Sequence, residues 1–106
     1  MRDSILIENF LEMMSAERGA AANTIEAYRR DLEETSDFLS SAKQSLIEAD
    51  SNTIRMVIED LSKRGFAASS QARHLSSLRQ FYQFLYAEGF RTDDPTAIVD
   101  GPKRQR

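Results

Sequence analysis

Apolar side chains recur along this chain at three- and four-residue intervals in four separate blocks, and no stretch alternates long enough to read as a strand. In residues 4–18, Ile5, Leu6, Ile7, Phe10, Leu11, Met13 and Met14 make a broad apolar stripe, and Gly19 is a helix-ending residue. The second block predicts a helix capped at Asn23, with Glu26 three residues on completing a capping box and with Ile25, Tyr28, Leu32 and Leu39 facing inward. Residues 40–46, SSAKQSL, read as a loop. Asp50 or Ser51 caps the third helix, whose inner face is Ile54, Val57, Ile58 and Leu61 and whose stop is Gly65. Ser69 or Ser70 starts the fourth, which runs to about Glu88 before Gly89 and buries Leu75, Leu78, Phe81, Tyr82 and Leu85. Pro95 after two aspartates marks a turn, and GPKRQR reads as a linker. The pattern predicts an all-α fold, a compact bundle of four main helices with short loops and a flexible C-terminal tail.

Composition narrows the function classes. A chain of 106 residues makes one small domain, and 41% hydrophobic with 29% charged residues is an ordinary globular balance. The absence of cysteine excludes a disulfide scaffold and a thiolate metal site, and is compatible with a cytoplasmic location. No apolar run approaches the roughly 20 residues a membrane span needs. There is no GxxxxGK[ST], GxGxxG or GxSxG run, and His74, at the edge of the apolar stripe, is the only histidine. No catalytic residue, metal site or cofactor is therefore expected; Tyr28, Tyr82 and Tyr86 read as core or half-buried aromatics. The net charge of −3 hides a gradient: residues 1–60 sum to −7 and residues 61–106 to +4. A phosphate backbone responds to a local basic face rather than to the total.

The outward faces carry the candidate chemistry. With Leu32 at the centre of the buried stripe, Arg30 lies almost opposite, at about 160°, beside Ala27, Glu26 and Glu34. Arg29 falls at about 60°, a flank position where its stem covers apolar surface while the guanidinium reaches water. The acids of this segment, Asp31, Glu33 and Glu34, read as solvated groups. On the fourth helix, Arg73, Ser76, Gln80 and Gln83 oppose Leu78, with Ser77 and Arg79 at the sides and no acid between Ser69 and Ala87. Serine allows close approach to phosphate, and arginine and glutamine carry the forked groups that read base edges in a major groove. The same face also serves as plain solvated surface or as a contact for another protein.

Three stretches sharpen this choice. ANTIEAYRRDL, with Thr24, Tyr28, Arg30 and Leu32, resembles the second-helix signature of the tyrosine recombinases, or phage integrase family. The similarity is greatest to the bacterial Xer-type members that resolve chromosome dimers. SSQARHLSSLRQFYQFLYAEG resembles the family's fourth helix at Ser69, Arg73, Leu75, Ser76, Leu78, Arg79, Phe81, Tyr82, Leu85 and Tyr86. In FRTDDPTAIVDGPKRQR, Asp94, Pro95 and Pro102-Lys103 resemble the approach to the catalytic domain. The resemblance implies a SAM-like core-binding domain over residues 1–98 and a linker over 99–106. It implies double-stranded DNA as partner, gripped by the second and fourth helices through Thr24, Ala27 and Arg30 and through Ser70, Arg73, Ser76, Ser77 and Gln80. Other recombinase protomers in a tetrameric synapse are the implied protein partners, and the first helix, with more apolar surface than a core needs, is a candidate contact. The family's nucleophilic tyrosine belongs to the other domain, so none of the three tyrosines here is expected to be catalytic. The rival reading is a helical protein-interaction module without nucleic-acid binding.

Overall fold

A computed structural model describes residues 2–99, and the tail expected to be flexible lies beyond them apart from Val99. Four helices run in order: α1 (Asp3–Arg18), α2 (Ala22–Ser41), α3 (Ser51–Lys63) and α4 (Ala68–Ala87), with no strand among the described residues. The chain is all-α, as its periodicity predicts. It divides into two compact units, the first ending at Glu48 and the second beginning at Ala49.

In the first unit α1 and α2 form an antiparallel hairpin. Contacts couple Asp3 to Ser36, Glu8 to Arg29 and Phe10 to Tyr28, so one index rises as the other falls. Gly19 closes α1 at φ 61°, a left-handed conformation that costs an L side chain free energy and costs glycine little. Leu6, Ile7, Phe10, Leu11 and Met14 of the α1 stripe are buried, whereas Ile5 is 48% exposed. Asp3 ties the hairpin to the following loop: one carboxylate oxygen accepts from Ser36 Oγ at 2.7 Å and the other from the Leu46 amide at 3.1 Å.

The expected start of α2 is displaced. The helix begins at Ala22, with Ala21 as an N-cap that offers no side-chain acceptor. The Ile25 amide already bonds the Ala21 carbonyl at 3.0 Å, which places Asn23 inside the first turn rather than at the cap. Alanine's helix propensity extends the helix backward past the better capping residue, and Glu26 turns instead to Arg29. The far end is longer than expected as well. Ser40 and Ser41 remain helical, and Lys43 takes the left-handed conformation (φ 59°) where a glycine was absent to do so. Asp31, read from the sequence as solvated, is buried at 1% exposure.

In the second unit Asp50 caps α3, its Oδ1 accepting from both the amide and the hydroxyl of Thr53 at 2.8 Å. These two bonds hold its carboxyl below the usual carboxylate range. Ile54, Val57, Ile58 and Leu61 are buried as predicted, and so is the α4 stripe of Leu75, Leu78, Phe81, Tyr82 and Leu85. α4 starts one to two residues ahead of the expected serines, again behind an alanine, Ala67, with no side-chain cap. His74, placed by its periodicity at the stripe's edge, is 1% exposed and belongs to the buried face.

After α4 the chain does not leave directly. Arg91 lies over the Tyr82 ring (5.3 Å to the centroid), donates to the Ala49 carbonyl at 2.7 Å and pairs with Asp93. Asp94 Oδ1 accepts from the amide and hydroxyl of Thr96, and Ser51 Oγ donates to the Pro95 carbonyl at 2.8 Å. Arg79 donates to the Val99 carbonyl at 2.8 Å and Arg55 to the Ile98 carbonyl at 3.4 Å. Residues 91–99 are therefore a strap held by three arginines.

Candidate nucleic-acid interface

The two helices singled out by their outward faces share one local construction. α2 and α4 both follow an alanine N-cap, neither has a side-chain cap bond, and neither carries an acid in its first turn. The first amides of each helix therefore lack an intrahelical acceptor and a competing carboxylate, while the helix dipole adds partial positive charge there. α3, by contrast, has its N-terminus occupied by Asp50. Counting from each observed start, Thr24 and Ser70 both stand third, Ala27 and Arg73 sixth, and Arg30 and Ser76 ninth. Each helix thus begins its outer face with a hydroxyl beside open amides and carries one arginine within the next two turns.

Burial separates the candidates. Thr24, Arg30, Arg73 and Ser76 are exposed, and Ala27, Ser70 and Gln80 are half-buried. The Arg30 side chain makes no hydrogen bond or ion pair with the described residues. Ser77 departs from the expectation: it is fully buried, and its hydroxyl donates to the Arg73 carbonyl at 3.2 Å. At about 100° from the stripe's centre, Ser77 is small enough to be enclosed where a longer polar side chain would have stayed in water.

Arg29 has the fate opposite to that of Arg30. Its guanidinium Nη1 donates to both Glu8 carboxylate oxygens, to Oε2 at 2.6 Å, and its Nε lies 3.5 Å from Glu26. The bonded Glu8 carboxylate, ahead of the desolvation that opposes it, raises the arginine's pKa further above its ordinary value. The guanidinium expected to reach open water is instead a link between α1 and α2. Three acids of this unit lie nearby: a cleft of about 410 Å³ is lined by Glu8, Glu33 and Asp37 with Ser4, Ile7, Arg29 and Ser36. Glu33 and Asp37 thus lie on the α1-facing side of α2, whereas Glu26 and Glu34 share the outer half of the helix with Ala27 and Arg30.

In the second unit no carboxylate occurs in the sequence between Asp60 and Glu88. Of the basic residues there, Arg64 pairs with Asp60 at 3.2 Å and stacks on Phe66, and Arg79 holds Val99. The role of Arg79 was not legible in the sequence, because its acceptor is a backbone carbonyl twenty residues away. Among the described residues no group of three His, Cys, Asp or Glu side chains is placed to hold a metal ion, and no helix is long and apolar enough to cross a membrane.

The class of protein to which this all-α chain belongs follows from its similarity to known proteins. Residues 7–89 match the phage integrase N-terminal SAM-like domain, and the chain belongs to that family. Its relatives are Xer-type tyrosine recombinases. Tyrosine recombinase XerD of Brucella suis biovar 1 (strain 1330) is 59% identical over all 106 residues, which make up 34% of that protein. XerD of Rhizobium meliloti (strain 1021) is 60% identical over 100 residues, 94% of this chain and 32% of its own length. XerD of Caulobacter vibrioides (strain ATCC 19089 / CIP 103742 / CB 15) is 48% identical over 97 residues, 92% of this chain and 32% of its own length. The chain thus spans about one third of the relatives it matches.

Proposed function

We propose that this chain is the DNA-gripping domain of a site-specific tyrosine recombinase, acting in DNA integration and recombination and in chromosome dimer resolution at partition and cell division, in the cytoplasm. Duplex DNA is held by α2 through Thr24, Ala27 and Arg30 and by α4 through Ser70, Arg73, Ser76 and Gln80. Ser77 contributes only by fixing the backbone under Arg73. The observation that carries the reading is the matched construction of the two helices: uncapped N-terminal amides, a hydroxyl in third position and an exposed arginine at sixth or ninth. Amides and hydroxyls suit phosphate oxygens, and an arginine fork suits phosphate or the O6/N7 edge of guanine.

In this reading residues 1–98 are the core-binding domain and the chain from about Val99 onward is the linker to a catalytic domain, which supplies the tyrosine nucleophile. The parent works as a tetramer of DNA-bound protomers, and the exposed Ile5 on α1 is a candidate for contact between them.

The test is a salt titration of duplex affinity. Two arginines on phosphate release about two counterions, so log K is expected to fall against log salt with a slope of about −2, and Arg30→Ala or Arg73→Ala should each reduce it by about 0.9. An affinity independent of salt would overturn the proposal and leave the protein-interaction reading.

A further inference from the structure

Tyr86, whose helical spacing placed it among core or half-buried aromatics, is 57% exposed. With Gln83 and Asp94 it lines a recess of about 230 Å³ at the C-terminal end of α4. One turn earlier the same chain shows what such a set of groups holds. There the Arg91 guanidinium lies 5.3 Å from the centre of the Tyr82 ring and forks onto Asp93, with Nε at 3.0 Å from one oxygen and Nη2 at 3.2 Å from the other. Tyr86 follows Tyr82 by four residues and Asp94 follows Asp93 by one, so the recess repeats the tyrosine and the carboxylate of that arrangement. Among the described residues no arginine lines it. Residues 80–90 contain neither lysine nor arginine, and Arg91 is committed to Tyr82, Asp93 and Ala49.

We propose that the recess of Gln83, Tyr86 and Asp94 is a docking site for an arginine side chain presented by another protein. The guanidinium stacks on the face of Tyr86, donates to the Oδ2 of Asp94 and donates to the Gln83 side-chain oxygen. Asp94 is prepared for this: its Oδ1 is fixed by the Thr96 amide at 2.9 Å and hydroxyl at 2.6 Å, while Oδ2 accepts no bond from the described residues. The C-terminal end of a helix carries partial negative charge, which adds to the attraction for a cation here and disfavours a phosphate. Arginine is favoured over lysine because its plane stacks and forks at once, whereas an ammonium does neither. α4 is then divided by chemistry, with its acid-free outer face offered to DNA and its C-terminal end to a basic protein surface. The site stands independently of the DNA reading, since it shares no residue with it.

The probe is the peptide acetyl-Gly-Arg-Gly-amide titrated into the 106-residue chain, followed by backbone amide shifts. Saturable shifts are expected at residues 83–87 and 94–96. Replacing the arginine by citrulline, which keeps the shape and removes the charge, should abolish them. Asp94→Asn retains the acceptor for Thr96 and loses the charge; it and Tyr86→Ala should each weaken binding roughly tenfold. Tyr86→Phe should remain within about twofold of the original, since the ring face is kept. Duplex affinity should be unchanged by all three. The proposal is overturned by an absence of saturable shifts at these residues, by a citrulline peptide that shifts them equally, or by an Asp94→Asn chain that titrates like the original.

Discussion

The adjacent arginines of α2 offer a sharp comparison, because removing each should damage a different property. Arg29→Ala removes a guanidinium that bonds both Glu8 oxygens and lies within 3.5 Å of Glu26. Two unit charges about 4 Å apart attract by about 4 kcal/mol at an effective dielectric constant of about 20. Side-chain exposures of 34% for Arg29 and 52% for Glu8 let water and salt screen most of this. Freezing two long side chains removes more, so the net coupling should be about 0.5–1 kcal/mol, at the upper end of exposed pairs because Nη1 bonds both carboxylate oxygens. A double-mutant cycle of Arg29→Ala and Glu8→Ala, read by denaturant unfolding, measures it directly. Repeating the cycle in 1 M salt, where the Debye length is about 3 Å, should reduce the coupling. Arg30→Ala should leave stability within about 0.5 kcal/mol of the original, since it is exposed and bonds no described residue, and should weaken duplex binding instead. A coupling of zero would refute the inter-helix link, and equal losses of duplex affinity from Arg29→Ala and Arg30→Ala would refute the division of roles.

Other consequences follow from single contacts. Asp3→Ala should destabilise the first unit by about 1–3 kcal/mol in denaturant unfolding, because it leaves the Leu46 amide and Ser36 hydroxyl without their charged acceptor. Lys43→Gly should stabilise the chain by about 0.5–1 kcal/mol, since the left-handed conformation at φ 59° costs lysine more than glycine, partly offset by the freer unfolded chain. Asp50, whose folded pKa is depressed, contributes stability that is present above its unfolded pKa and is lost as the pH falls below about 4. Thermal melts of Asp50→Asn against the original should therefore converge toward low pH, and a constant gap would refute the assignment. Arg79→Ala should speed hydrogen exchange at residues 96–99 by releasing the Val99 carbonyl, with little effect on the α4 core; unchanged exchange there would mean the strap holds without it.

The legible part of the candidate interface is the part that needs only helical phase. Arg30, Arg73 and Ser76 face outward in the structure because they lie far around the helix from Leu32 and Leu78, which any correct periodicity predicts. Helix beginnings were less legible. Asn23 and the serines of residues 69–70 are better caps than alanine, yet both helices begin behind Ala21 and Ala67. That displacement is what leaves their first amides open. Positions at the sides of a wheel are ambiguous by nature: Ser77 is enclosed and Tyr86 stands out, although both lie roughly a quarter turn from the buried centre.

The sequence by itself determined four helices, their inward stripes, the glycine stops and the family, because each depends on residues within a few positions of one another or on ordered local motifs. The tertiary structure decided which polar side chains are already spent. Arg29 meets Glu8 across 21 residues, Asp3 meets Leu46 across 43, Arg91 meets Ala49 across 42 and Arg79 meets Val99 across 20. A long flexible side chain carries no local signal of its acceptor; only the packing of one helix or strap against another brings the pair together. Of the two neighbouring arginines on α2, the fold consumes Arg29 and leaves Arg30 facing outward.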